Sequence, residues 1–174
     1  LNYVRKRRKV KEPQAKNIFK QIIEGIQYIH RKCVAHRDIK LDNILLDGKG
    51  QVKIADFGVS KQVGSASKMR EQCGTPAYIA PEILKNRNGY GVQCDLWSAG
   101  VVLYAMLYGT VPFKAQSMEE LHSLILKGHY CLKDEISVEA RDLIRKLLEI
   151  NPHKRIDCPG ALQHPWLVDT DEGL

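Results

Sequence analysis

The sequence lacks any apolar run long enough to cross a bilayer. Its longest, from Leu96 to Tyr108, is interrupted by Ser98 and Gly100, so no membrane span is expected. It also lacks the apolar stretch of a secretory leader, opening instead on basic residues. Its five cysteines, Cys33, Cys73, Cys94, Cys131 and Cys158, include no C-x-x-C pair, which leaves zinc and thioredoxin-like chemistry without support. An odd number of scattered thiols in a chain this long argues against a disulfide scaffold, and a cytoplasmic or nuclear setting is the expectation. There is no internal repeat and no low-complexity segment. Aromatic residues are sparse, and only Tyr3 lies beside the basic cluster Arg5-Lys6-Arg7-Arg8-Lys9 with Lys11. A single-strand stacking platform is therefore not expected.

What is present is enough for one domain. The 174 residues carry a net charge of +7, much of it in that basic cluster, which reads as a solvated face of a short helix from Tyr3 to Lys9. A nucleic-acid-binding role for Arg5 to Lys11 is the weaker alternative, and a salt-dependent DNA titration distinguishes the two. Glu12-Pro13 reads as a break. From Gln14 to Arg31, Ile18, Ile22, Ile26 and Ile29 recur at helical spacing, with Phe19 and Ile23 widening the stripe. Two short β-prone runs, Ile44 to Leu46 and Gln51 to Ile54, flank Asp47-Gly48-Lys49-Gly50, a hairpin signal. The stretch from Gly58 to about Ala80 has little periodicity, and loops of this length are usually functional. Asp95 to Tyr108 is apolar nearly all round and reads as a buried central helix. Further helices are expected over Met118 to Leu126, Ser137 to Glu149 and Pro159 to His164. An acidic tail follows from Asp169 to Leu174. The class is mainly α with a small β-hairpin.

The chemistry-bearing residues surround that hairpin. His36-Arg37-Asp38-Ile39-Lys40-Leu41-Asp42-Asn43 places two carboxylates, a lysine and an amide just before a strand. Asp56-Phe57-Gly58 follows the hairpin. Gly74-Thr75-Pro76-Ala77-Tyr78-Ile79-Ala80-Pro81-Glu82 follows the long loop. Each could arise by chance, but all three in this order are highly specific. From Leu1 to about Trp166 the chain resembles the large, C-terminal lobe of eukaryotic protein Ser/Thr kinases, whose signature set these motifs match.

The resemblance implies a protein-kinase-like fold over residues 1–168 and transfer of the ATP γ-phosphoryl group, with Mg²⁺, to Ser or Thr hydroxyls of protein substrates. On matching positions it implies that Asp38 handles the proton of the substrate hydroxyl and that Lys40 offsets charge at the γ-phosphate. Asn43 and Asp56 would be Mg²⁺ ligands, and Leu45 the floor beneath adenine. His36 and Phe57 would stack in a hydrophobic spine. Thr75 would touch the catalytic aspartate, Asp95 would hold the backbone of the catalytic loop, and Glu82 would pair with Arg155. Glu71 stands where many relatives carry a phosphorylated Thr, so a Glu71–Arg37 pair is expected to order the loop in part without phosphorylation. Ser65 and Ser67 are further candidate phosphosites. Met69 to Thr75 and Tyr78 to Glu82 look most like the calcium/calmodulin-dependent, calcium-dependent and AMP-activated kinase group. Asp42 would favour a basic residue on the substrate, although Ala105 replaces an acid found in strongly basophilic relatives.

The sequence contains no G-x-G-x-x-G loop, nor the strand lysine and helix glutamate that in the family complete the nucleotide cleft. These residues alone are therefore expected to be inactive or weak. A truncated, non-catalytic kinase-like scaffold is the alternative, but a scaffold has no physical need for a complete set of metal-binding side chains.

Overall fold

The computed structural model describes residues 9–64, 68–85 and 87–168. Ser65, Ser67, the acidic tail and all of the expected basic helix but Lys9 lie outside the described residues.

Helix α1, Glu12–Arg31, buries Ala15, Ile18, Phe19, Ile22, Ile23 and Ile26. It begins two residues before the expected Gln14. Pro13 stands in its first turn rather than ahead of it, where a missing N–H is no loss because that donor has no intrahelical partner. The Glu12 carboxylate accepts from Ser137 Oγ at 2.6 Å, Ser137 N at 3.1 Å and Trp166 Nε1 at 3.0 Å. Burial alone would raise its pKa, but these hydrogen bonds outweigh it and hold the group below the ordinary carboxylate value. The segment read as a break is thus a tie between the first helix and the C-terminal part of the domain.

Four short strands follow: β1 (Val34–Ala35), β2 (Ile44–Leu46), β3 (Val52–Ile54) and β4 (Lys61–Gln62). Strands β2 and β3 form the expected antiparallel hairpin, with Ile44 opposite Ile54 and Leu46 opposite Val52. Asp47 closes it by accepting from the N–H groups of Lys49 and Gln51. The β1–β4 pair had no sequence signal, because two residues are too few to show an alternating pattern.

Helix α2 (Pro81–Lys85) precedes the central α3 (Cys94–Tyr108), and every residue of α3 is buried. Helices α4 (Met118–Lys127) and α5 (Val138–Leu147) are each N-capped by a serine, Ser117 and Ser137. Two short helices, α6 (Cys158–Leu162) and α7 (Pro165–Val168), complete the described chain. Both α1 and α5 pack on α3. Gly100 permits the α5 contact: a Cβ there would lie 2.8 Å from Leu147 Cβ. The first turn of α3, carrying Asp95, thereby becomes a rigid reference point for the loop that follows β1.

Candidate active site

The Asp95 carboxylate lies at the N-terminal end of α3, where the helix dipole favours negative charge, and is 1% exposed. It is not left unpaired. Its Oδ2 accepts from the N–H of His36 at 2.9 Å and from His30 Nε2 at 2.8 Å, and its Oδ1 accepts from the N–H of Arg37 at 2.9 Å. Three donors satisfy the buried charge and fix the start of the 36–43 loop to the most buried helix. His30 was not singled out from the sequence, since one histidine at a helix end carries no pattern.

Arg37 has φ 71° and Asp56 has φ 57°. Left-handed backbone at non-glycine residues costs energy and clusters at functional sites. Here it turns the chain at the residue before Asp38 and at the first residue of Asp56-Phe57-Gly58.

Asp38, Lys40 and Thr75 meet. Thr75 Oγ1 donates to Asp38 Oδ1 at 2.9 Å, and Lys40 Nζ donates to Thr75 Oγ1 at 2.9 Å. Lys40 Nζ lies 3.7 Å from Asp38 Oδ2. Gly74 allows Thr75 to reach this position: its φ is 111°, and a Cβ would come within 2.9 Å of the Arg37 carbonyl. Asn43 joins from the other side, its Nδ2 donating to the Asp38 carbonyl at 2.7 Å. With the amide nitrogen committed to that bond, Oδ1 is the atom of the Asn43 amide able to accept.

The hairpin brings Asp56 to the same place. The Asn43 carbonyl accepts from the N–H of Ala55 at 2.8 Å. His36 Nδ1 accepts from the N–H of Asp38, so its other nitrogen carries the proton and donates to the Ala55 carbonyl at 2.8 Å. The His36 ring meets Phe57 edge-on with centroids 4.8 Å apart. Asp56 Oδ1 accepts from the N–H of Gly58. Leu45 is 49% exposed and Phe57 42% exposed, so Leu45 belongs to a surface rather than to the core. Among the described residues no three His, Cys, Asp or Glu side chains form a metal cage. Asn43 and Asp56 both carry hard oxygen donors, the atom type that a magnesium ion accepts.

Arg37 and Glu71 form an ion pair with Nη1 3.1 Å from Oε2. Arg37 Nε also donates to the Val59 carbonyl at 2.6 Å. Lys61, absent from the sequence-based site, completes the cluster, 2.6 Å from the other Glu71 oxygen. The Lys61 hydrogen bond is the largest influence holding the Glu71 carboxyl at about 2. Asp42 is exposed in the 3₁₀ turn Leu41–Asn43, and Ala105 is buried in α3. All five cysteines are free thiols. Burial pushes the Cys94 thiol well up and Cys158 up to about 12, so neither is a nucleophile near neutral pH.

Away from the cleft, Glu82 and Arg155 form a buried two-pronged pair, 2.6 Å from Nη1 to Oε1 and 2.9 Å from Nη2 to Oε2. The guanidinium also donates to the carbonyls of Gln93 and Glu149 and lies over the Trp97 ring.

The family model described as protein kinase domain matches residues 1–167. The chain is 40% identical over 166 residues to the SNF1-related protein kinase catalytic subunit alpha KIN12 of Arabidopsis thaliana, covering 95% of this chain and 33% of that protein. It is 42% identical over 161 residues to CBL-interacting protein kinase 1 of Oryza sativa subsp. japonica, covering 91% and 35% respectively. It is 43% identical over a 184-residue alignment to the probable serine/threonine-protein kinase fhkE of Dictyostelium discoideum, covering 94% and 26%. The chain thus spans about a third or less of the length of these relatives.

Proposed function

The chain belongs to the protein kinase domain family, on the Ser/Thr side of it, and from that premise we propose that it forms the catalytic-loop half of an ATP-dependent Ser/Thr kinase acting on proteins. The observation that carries this reading is the meeting of Thr75 Oγ1, Asp38 and Lys40 beside the Asn43 amide. Mg-ATP, when bound, supplies the phosphoryl group and the cation next to it. Asp38 accepts or orients the proton of the attacking Ser or Thr hydroxyl. Lys40 sets positive charge where negative charge spreads over the phosphoryl oxygens, and Thr75 holds both groups in register. Asn43 and Asp56 offer the oxygen ligands, and the half-exposed Leu45 offers an apolar face to the base.

Any cover for the triphosphate from the opposite side comes from outside these 174 residues, so by themselves they bind ATP weakly. The exposed Asp42 suits a substrate with a basic residue near the acceptor, and the free thiols favour the cytoplasm or nucleus. The test is a peptide kinase assay with Mg-ATP on the full-length protein that carries this chain. Labelled phosphate on Ser or Thr supports the reading, and none on any peptide in a Ser/Thr library refutes it.

In this reading Glu71 replaces an added phosphate. Its folded pKa is depressed below the ordinary value of 4.5, to about 2, so the pairing is fully present above about pH 4.5 and is lost as pH falls through about 2. The carboxylate is 55% exposed, so water and salt screen the pair and keep its contribution small. Glu71→Gln is therefore expected to lower kcat/KM up to about 5-fold at pH 7. The loss should shrink in high salt, and steady-state kinetics at two ionic strengths checks it.

A further inference from the structure

Tyr90 carried no sequence signal. It lies in the link between α2 and α3 with its side chain buried at 2% exposure. Its N–H and C=O both pair with Met69, at 2.8 and 2.9 Å. The hydroxyl reaches three groups: the Glu71 carbonyl, Arg37 Nη1 at 3.2 Å and Cys73 Sγ at 3.8 Å. A phenol has one proton. A carbonyl can only accept and a guanidinium can only donate, so the O–H points at Glu71 and the Arg37 N–H points at the phenol oxygen. Burial raises the Tyr90 pKa above its ordinary value, so the donor role persists throughout the neutral range.

The two ends of this bridge differ in how firmly they are held. Arg37 is fixed through its own N–H to the buried Asp95, and the Tyr90 ring is fixed in the core. Glu71 is half exposed. The hydroxyl clamps the main chain of Glu71, which is exposed two residues beyond the buried Met69, against the residue that precedes Asp38. Four residues further on, the chain carries Thr75, the direct partner of Asp38.

We propose that the Tyr90 hydroxyl is a positioning group for phosphoryl transfer: it holds the Glu71 main chain so that the 68–75 segment stays docked on Arg37 and Thr75 stays on Asp38. This rests on the kinase reading above. It makes Tyr90 a residue that acts through Glu71 and Arg37, without touching substrate.

The experiment compares wild type, Tyr90→Phe, Glu71→Gln, the double variant and Tyr90→Leu in the full-length protein. Peptide-kinase kcat and KM are measured together with limited trypsin cleavage after Lys68 and Arg70. Tyr90→Phe should lower kcat about 5–30-fold, the effect of losing one or two hydrogen bonds. It should leave KM for ATP unchanged and hasten cleavage after Lys68 and Arg70. It should melt close to wild type, while Tyr90→Leu, which also loses the ring, melts clearly lower. The Tyr90→Phe and Glu71→Gln losses should combine to less than their product, because both loosen one contact. Wild-type kcat and cleavage in Tyr90→Phe would overturn the proposal, as would losses that multiply fully, or Tyr90→Phe melting as low as Tyr90→Leu. A wild-type protein that phosphorylates no peptide counts against the kinase reading instead. The cleavage comparison still decides whether the hydroxyl docks the segment, and equal cleavage overturns it.

Discussion

Replacing Asp38 by Asn is expected to lower kcat on the order of 10²–10⁴-fold, the range associated with losing a positioned general base. The substitution preserves shape and an oxygen, so Thr75 Oγ1 keeps an acceptor at the position of Asp38 Oδ1. The Asn43 bond to the residue-38 carbonyl involves only the main chain and also survives. What disappears is the negative charge that faces Lys40 at 3.7 Å and that, in the proposed role, takes the substrate proton. Because packing is retained, the melting temperature should stay within about 2 °C of wild type. The measurement is kcat in the full-length protein at saturating Mg-ATP and peptide, with melting of the same sample as control. Undiminished turnover would exclude the carboxylate from the chemistry.

Arg155→Ala should act on stability and by a different route. The Arg155 side chain is fully buried and its Glu82 partner nearly so. Removing the guanidinium leaves a carboxylate in the interior without a counter-charge, and it strips the Gln93 and Glu149 carbonyls of a donor. Breaking one side of such a pair costs about 3–5 kcal/mol. For a domain of this size that is roughly 6–20 °C in melting temperature. Replacing both members by apolar residues of similar volume should cost less, since no orphan charge remains. A calorimetric or fluorescence melt decides, and a shift no larger than that of a surface substitution on α5 would show the pair to be energetically idle.

That Asp38, Lys40, Asn43 and Asp56 lie near one another along the chain is legible in the sequence, for a physical reason. Asp38, Lys40 and Asn43 lie within one turn of chain, and a two-strand hairpin with a local Asp-Gly turn brings Asp56 back beside them. Short-range signals therefore fixed a short-range geometry. The long pairing between Glu82 and Arg155, 73 residues apart, came only through family resemblance, because nothing local marks it. The same holds for Asp95, whose role depends on where α3 packs.

Other features left no mark. Lys61, in the two-residue strand β4, and Tyr90, in the link between α2 and α3, join the cluster around Glu71 from positions that no periodicity marks. Helices α2 and α7 have five and four residues, too few to display a 3.6-residue repeat. Pro13 is ambiguous in the sequence because proline marks both the end of one element and the first turn of another; the structure puts it in the first turn of α1, where Glu12 is held by Ser137 and Trp166.

The three-donor arrangement on Asp95 has a dynamic corollary. The amides of His36 and Arg37 belong to a loop, and loop amides ordinarily trade their hydrogens with solvent quickly. Here each is tied to a buried carboxylate of the least accessible helix, so releasing them leaves an interior charge short of donors and is costly. In a deuterium-labelling time course these two amides should exchange as slowly as those of α3, reporting global opening, while the backbone around Glu71 labels through small local fluctuations. The catalytic turn would thus be the slow-exchanging half of the cleft and the docking segment the fast half, leaving the segment as the part that can respond to a signal without unfolding the rest.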